Sequence, residues 1–126
     1  MGLSKHRRLR RREEFRRVLR DGNRARDALL SITAADNGTP DSEPRYGFAI
    51  PKRVGGAVTR NRIKRRLRAI VNQTDHPRGW DYVIYAFPAA SDATSERLAQ
   101  SVETLVKRLR SGGRNRRTEQ RARGPR

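Results

Sequence analysis

The sequence predicts a small α+β protein in which helices pack on one largely antiparallel sheet, a two-layer sandwich. Apolar residues recur at helical spacing in three stretches of the chain. Three other stretches are rich in β-branched, apolar and aromatic residues and are bounded by turn-forming residues, as strands are. The 126 residues, of which 33% are hydrophobic, suit a single domain with a modest core.

The first predicted helix begins near Arg11 and ends at residues 21–22. Two glutamates would lie in its first turn, where the helix dipole favours acidic side chains. Phe15, Val18 and Leu19 follow at i, i+3 and i+4 and would form its apolar face. Gly22 is the candidate C-terminal cap, because glycine accepts the backbone conformation that often ends a helix.

Two strands are predicted next. The first, at residues 28–34, would turn Leu30 and Ile32 inward. The second, at residues 45–51, alternates aromatic and apolar residues up to Pro51, which cannot donate a hydrogen bond within a sheet. The segment between them consists of turn-forming residues, and a short extra strand at residues 24–27 also fits.

A strongly basic helix is predicted from Thr59 to Asn72, after a tight connection at residues 54–58. Its apolar stripe consists of Ile63, Leu67, Ile70 and Val71. From residue 52 to residue 68 the chain carries eight cations and no acid. Like charges at i,i+4 destabilise an isolated helix, so this one should gain stability from a polyanion. The pattern therefore predicts a nucleic-acid-binding surface rich in arginine, which suits forked contacts to phosphate.

With the last strand and helix, the predicted order is α-β-β-β-α-β-α, in which the first β is the short strand at residues 24–27. Residues 80–87 form the most strand-like run, and a helix follows from Thr94 or Ser95. Its apolar stripe consists of Leu98, Val102, Leu105 and Leu109. We therefore predict one domain over residues 1–110, frayed at residues 1–8. Residues 111–126 carry six arginines against one glutamate without periodicity, and we interpret them as a disordered basic tail.

The net charge of +18 indicates which kind of partner the chain binds. The positive charges of a compact chain repel one another, and a polyanion would offset that repulsion. Nucleic acid is the favoured polyanion. A membrane surface is disfavoured, because the sequence has neither a spanning apolar run nor the apolar region of a signal peptide. The absence of cysteine excludes disulfides, zinc fingers and thiol chemistry, and it fits a cytoplasmic protein.

The residues suited to catalysis are few. His6 lies in the basic start and His76 precedes a proline in a loop, so we interpret both as surface histidines. Asp36, Asp41 and Glu43 are the only close acidic group, and they lie in a turn-rich loop that makes a poor Mg²⁺ site. The sequence thus predicts neither a catalytic residue nor a protein-built metal site.

Three aromatic residues have two interpretations. Phe15, Tyr46 and Phe48 suit the core, which composition favours. They would also suit an open sheet on which single-stranded bases stack.

Residues 47–68, "GFAIPKRVGGAVTRNRIKRRLR", closely resemble the protein component of bacterial ribonuclease P. The matching parts are Gly56-Ala57-Val58 and the motif Arg60-Asn61-Arg62-x-Lys64-Arg65-x-x-Arg68. Residues 8–15 and 81–90 are also similar to that family, and the likeness extends over roughly residues 7–110. Five positions carry a residue other than the one common in the family: Leu19, Pro51, Gly56 (within the otherwise matching turn), Ala69 and Phe87.

The resemblance implies a fold and a function. The fold would carry the basic helix in a left-handed βαβ crossover. The function would be that of the non-catalytic protein subunit of an endoribonuclease, a hydrolase that removes the 5′ leader of precursor tRNA. The chemistry would belong to a large RNA subunit with Mg²⁺ bound by that RNA and the substrate. One protein would bind each RNA.

The resemblance also assigns residues to two surfaces. The RNA subunit would be contacted by Arg60, Asn61, Arg62, Lys64, Arg65 and Arg68. The single-stranded leader would lie in a cleft lined by Phe15, Lys52 and Arg53. Two alternatives remain at this stage. A structural ribosomal-type RNA-binding protein fits composition and fold, and only the motif at residues 52–68 argues against it. An architectural DNA binder lacks an evident dimerising element.

Overall fold

The structure, a computed structural model, describes residues 7–111, except for the side chain of Ser111. Its helices and strands in chain order are α1 Arg12–Asp21, β1 Asn23–Arg26, β2 Leu30–Asp36, β3 Arg45–Ala49, α2 Ala57–Asn72, β4 Trp80–Ala86 and α3 Ser95–Ser111. Short 3₁₀ turns lie at Lys52–Val54 and Pro88–Asp92. The predicted α+β class and element order are confirmed, and the optional short strand is present as β1.

The four strands form one sheet in the order β1-β2-β4-β3. The pairs β1–β2 and β2–β4 are antiparallel, whereas β3 and β4 are parallel. A parallel pair needs a crossover connection, and α2 supplies it. The basic helix therefore sits in a βαβ unit, as the resemblance implied. The left hand of that crossover stays a prediction.

The main core lies between one face of the sheet and helices α2 and α3. Alternate residues of the central strands, such as Ile32 and Ile84, point into it, as the two-residue period of a strand requires. From α2 come Ile63 and Leu67, both fully buried. The stripe predicted for α3 supplies three more buried side chains, Leu98, Val102 and Leu105.

Helix α1 packs on the opposite face of the sheet. Val18 is its buried residue and packs with Leu9, Ala35 and Val83 in a second, smaller cluster. Phe15 is half-buried against the same cluster. Since α1 covers only part of this face, the rest of it is left for other contacts.

An ionic network fixes α1 to the sheet. Asp81 on β4 is fully buried and accepts hydrogen bonds from Arg45 on β3, at 2.8 and 3.0 Å, and from Arg17 on α1. Arg45 also donates to Glu14 at 3.0 Å. Burial disfavours ionisation of Glu14. Two backbone N–H bonds and the charge of Arg45 outweigh that cost, however, and they hold the pKa of Glu14 below its ordinary value.

Several predicted boundaries move. β3 ends at Ala49 rather than at residue 51, because Pro51 caps the 3₁₀ turn that follows. Helix α2 begins at Ala57, two residues before the predicted start. The predicted fraying does not extend to the last two of residues 1–8. Arg8 forms an isolated parallel bridge with Tyr46, and Arg7 donates to the side chain of Asn72 at 3.0 Å.

Some predictions fall outside the described range. These are the fraying of residues 1–6, the position of His6 and the state of residues 112–126. Within residues 7–111, no helix is both long and apolar enough to cross a membrane.

The prediction that His76 lies on the surface is wrong. Its side chain is buried, with Nδ1 2.6 Å from the hydroxyl of Tyr46 and Nε2 3.1 Å from that of Thr74. Because the Thr74 hydroxyl donates to the Ile70 carbonyl at 3.2 Å, it can accept only from a protonated Nε2. In the neutral ring, Nδ1 is then the acceptor for the Tyr46 hydroxyl. A loop histidine before a proline gave no sequence signal of these contacts.

Burial lowers the pKa of His76, and the positive charges of Arg110 and Arg7 lower it further. The acidic groups of Glu103 and Asp75 oppose that shift but do not cancel it. The unfolded chain keeps a histidine pKa of about 6.5 and so binds more protons than the folded chain just below that pH. The contribution of His76 to stability is therefore complete above pH 6.5 and is lost as pH falls towards the folded pKa.

We predict that the free energy of unfolding decreases as pH is lowered from 7 to 5. The slope should not exceed about 1.36 kcal/mol per pH unit, the limit for one proton. His76→Gln retains an acceptor for Tyr46 and a donor for Thr74 and should flatten this dependence in urea unfolding. His6→Gln is the matched control and should leave it unchanged. An equally steep slope in His76→Gln would contradict the assignment.

Candidate nucleic-acid interface

The cations of helix α2 lie on its outer surface because its apolar residues form a single stripe, which is buried against the core. Ile63, Leu67 and Val71 are buried at spacings of four, which turns that stripe towards the sheet. The first and last turns contain no acidic residue, and the N-cap, Gly56, makes no side-chain capping bond. No charge on the helix itself therefore neutralises the cations on its outer surface.

Two arginines of α2 hold neighbouring loops. Nε of Arg60 donates to the carbonyl of Gly55 at 3.1 Å, across the turn that leads into the helix. Arg66 donates to the carbonyl of Ala93 at 3.2 Å, next to the start of α3. Both side chains thus fix the orientation of α2 in addition to supplying charge.

Arg62 and Arg68 carry buried donors without a partner. The Nε atom of each is buried and has no hydrogen-bond acceptor among the described residues. A buried donor left unpaired costs about 1–3 kcal/mol, and more when the group is charged. The terminal nitrogens of the same planar guanidinium groups suit the forked geometry of phosphate.

The six residues assigned to RNA-subunit binding all lie on α2. Asn61 and Arg65 are exposed, and the other four are half-buried. We call this set the basic face of α2: Arg60, Asn61, Arg62, Lys64, Arg65 and Arg68. The exposed side chain of Val58, at 80% of its full area, lies one turn before Arg62.

A groove lies on the other face of the sheet, next to α1. Its floor consists of Ser31 and Thr33 from β2 and Val83 and Tyr85 from β4, and its volume is about 370 Å³. The remaining lining residues come from α1, β1 and the connections after β3 and β4: Leu19, Arg24, Arg26, Arg53 and Phe87. We call this the sheet groove. It combines hydroxyl groups, aromatic rings and arginines, as surfaces for single-stranded nucleic acid do.

Arg53 and two aromatic residues form one end of the sheet groove. The Arg53 guanidinium lies 5.8 Å from the centre of the Tyr85 ring and donates to its hydroxyl. Tyr85 in turn meets Phe87 edge to face, with ring centres 5.5 Å apart. Arg53, which the resemblance assigns to a leader cleft, lies at this end of the sheet groove.

Phe15 and Lys52 do not line the sheet groove. The Phe15 ring lies directly over Gly47 of β3, where an added Cβ would come within 2.5 Å of its Cζ atom. Lys52 is exposed on the 3₁₀ turn next to Arg53. Of the three aromatic residues with two interpretations, Tyr46 is buried in the main core and Phe48 packs against it. Only Phe15 is on the α1 side.

Sequence reasoning missed most of the groove, including Tyr85. The two-residue period of β4 places Tyr85 on the same face as Asp81 and Val83, away from Tyr82 and Ile84. That alternation is visible in the sequence and could have identified Tyr85. The arginines of β1 gave a weaker signal, because a four-residue strand has little pattern.

Comparisons with known proteins agree with this architecture. The sequence profile of the ribonuclease P family matches residues 3–110. A ribonuclease P protein component of Streptomyces avermitilis is 40% identical over 84% of this chain and 94% of its own length. One from Beutenbergia cavernae is 45% identical over 76% of this chain and 82% of its own.

Solved structures are similar as well. A Staphylococcus aureus RNase P protein, a mutant with defective mRNA degradation activity, aligns with a TM-score of 0.78 and 27% identity. The alignment covers 84% of this chain and 90% of that one. The RNase P protein from Thermotoga maritima aligns with a TM-score of 0.72 at 24% identity, over 80% of this chain and 96% of its own, and shares the fold.

Proposed function

The chain belongs to the ribonuclease P protein family, and we propose that its two surfaces bind two different RNAs. As a protein subunit of ribonuclease P it is part of an endoribonuclease complex, with the ribonuclease P RNA and precursor tRNA as partners. The basic face of α2 contacts the RNA subunit. The sheet groove and the neighbouring Phe15, Lys52 and Arg53 contact the single-stranded 5′ leader.

The density of cations on the basic face of α2 carries the first part of this proposal: five of its six residues are Arg or Lys. No acidic residue of the helix pairs with them, so phosphate oxygens gain charge-assisted hydrogen bonds there. Arg65 and Lys64 add charge without intramolecular partners of their own among the described contacts. The structural ribosomal-type alternative is not favoured, because the relatives are ribonuclease P proteins.

The composition of the sheet groove supports the second part. Leader RNA is single-stranded, so its bases are free to meet aromatic and apolar side chains, while its phosphates meet cations. Arg24, Arg26 and Arg53 line the groove together with Tyr85 and Phe87. The two RNAs then occupy opposite faces of one sheet and do not compete for the same arginines.

In this proposal the protein binds and positions, and the RNA subunit carries the chemistry. Mg²⁺, when bound by that RNA and the substrate, supplies charge stabilisation for the cleaved phosphodiester. Within residues 7–111 no three His, Asp or Glu side chains come together as a metal site would require. One protein for each RNA is part of the proposal, as the family resemblance implies.

Reconstitution tests the function directly. The full-length chain, added to its cognate RNA subunit at low Mg²⁺, should stimulate cleavage of precursor tRNA at the mature 5′ end. The leader contacts raise substrate affinity, and the cations offset repulsion between two RNAs that scarce Mg²⁺ leaves unscreened. No stimulation over RNA alone would contradict the proposal.

The basic face of α2 should determine the salt dependence of RNA-subunit binding. Arg62→Ala with Arg65→Ala removes two proposed phosphate contacts, and the slope of log affinity against log salt should fall by about 0.9 for each. Filter-binding titrations at several salt concentrations measure it. Arg97→Ala with Lys107→Ala, two exposed cations of α3, is matched in charge and should change the slope little. Equal slopes for the two double variants would show that total charge, not this face, governs binding.

Phe15 should contribute to leader binding more than to folding. Phe15→Ala should weaken precursor-tRNA binding by the assembled enzyme by about 1–3 kcal/mol, the value of one stacked base. Affinity for mature tRNA, which has no leader, should hardly change. Gly47→Ala should have the same effect in weaker form, because its methyl group displaces the Phe15 ring.

Val18→Ala is the control for damage to α1, since Val18 is fully buried in the same cluster. It should lower the melting temperature without a loss specific to the leader. If Phe15 is mainly a core residue, its truncation should instead cost about 3–5 kcal/mol of stability and weaken all RNA binding together.

A further inference from the structure

We propose that one leader base stacks on Phe87, and that Tyr85 and Arg53 hold the Phe87 ring in place. This inference rests on the function proposed above, in which the sheet groove binds the leader. Phe87 then determines specificity at a single leader position.

The backbone of Phe87 is fixed at three points. Its N–H donates to the carbonyl of Leu29 at 2.9 Å, which ties it to the start of β2. The following Pro88 restricts it to an extended conformation, and its φ of −88° and ψ of 161° agree. Its own carbonyl accepts from Ala90 in the 3₁₀ turn at 2.9 Å. A ring on such a backbone loses little freedom when a base binds, which favours affinity.

The neighbouring rings divide their roles. Tyr85 already has a cation near its ring and a hydrogen bond at its hydroxyl, both from Arg53. Phe87 is half-buried, and within the described range its one aromatic contact is the edge-to-face pair with Tyr85, at an interplanar angle of 64°. Such a contact occupies an edge or at most one face of each ring, so at least one face of Phe87 is not used by Tyr85. Tyr85 is thus the support, and Phe87 is the platform.

The rest of the sheet groove suits one base beside that platform. Leu19 on α1, 39% exposed, forms an aliphatic part of the wall that cannot stack as an aromatic ring does. Arg24 and Arg26 on β1 offer charge to the adjoining phosphates. Phe15 lies outside the lining, so the base that stacks on Phe87 is a different one from any that meets Phe15. Because larger bases offer more stacking surface, a purine should bind best at this position.

The test uses the holoenzyme assembled from the full-length chain and its cognate RNA subunit. Precursor tRNAs carry one abasic leader nucleotide each, at successive positions, and their affinities are measured with wild type and with Phe87→Leu. Wild type should lose about tenfold at the position whose base stacks on Phe87, and separately at any position whose base meets Phe15. Phe87→Leu should lose a similar factor on the intact leader and nothing further at the Phe87 position. Mature tRNA should bind both enzymes equally.

Two further variants separate stacking from folding. Phe87→Trp keeps an aromatic face and should retain the wild-type preference even if Phe87→Leu lowers the melting temperature. Phe48→Leu removes an aromatic residue on the main-core side and should leave the abasic profile unchanged. If Phe87→Leu shows the same abasic profile as wild type, the role of Phe87 is overturned while the proposed leader binding stands. A wild type that binds precursor and mature tRNA equally would overturn the leader groove and this inference with it.

Discussion

The buried carboxylate of Asp81 determines where α1 lies, and with it one wall of the sheet groove. A carboxylate with no exposed surface is tolerable only when it is paired, and here arginines from β3 and α1 both reach it. Asn37 adds a further donor at 3.1 Å. The small cluster beneath α1 would be a weak anchor alone, since Val18 is the one fully buried residue of that helix. The ionic network therefore orients the helix as well as holding it.

The main core holds α2 in place, as the ionic network holds α1. The buried stripe of α2 holds a row of like charges in register, although those charges repel one another along the helix. The sheet lies between the basic face of α2 and the sheet groove, so the two surfaces are on opposite sides of one layer. In the function proposed above, this layer keeps the two RNAs apart.

The sequence allowed prediction of those features that depend on neighbours along the chain. The apolar periods of α2 and α3 and the strand-like run of β4 identified elements, and the Arg-Asn-Arg motif identified the family and the basic face. Contacts between distant residues could not be predicted. Arg53 and Tyr85 are 32 positions apart, Tyr46 and His76 are 30 apart, and Arg17 and Asp81 are 64 apart. No local pattern carries such pairs, so the network, the buried histidine and most of the groove required the structure.

Both edges of the sheet are protected against pairing with another chain. At β3, Arg8 forms its bridge with Tyr46, and the N–H of Leu9 occupies the Tyr46 carbonyl at 2.8 Å. At the other edge, β1 is four residues long and carries two exposed arginines, Arg24 and Arg26. Short, charged or covered edges discourage strands of other molecules from adding to a sheet. Before RNA binds, association of two copies of the chain through a sheet edge is therefore disfavoured.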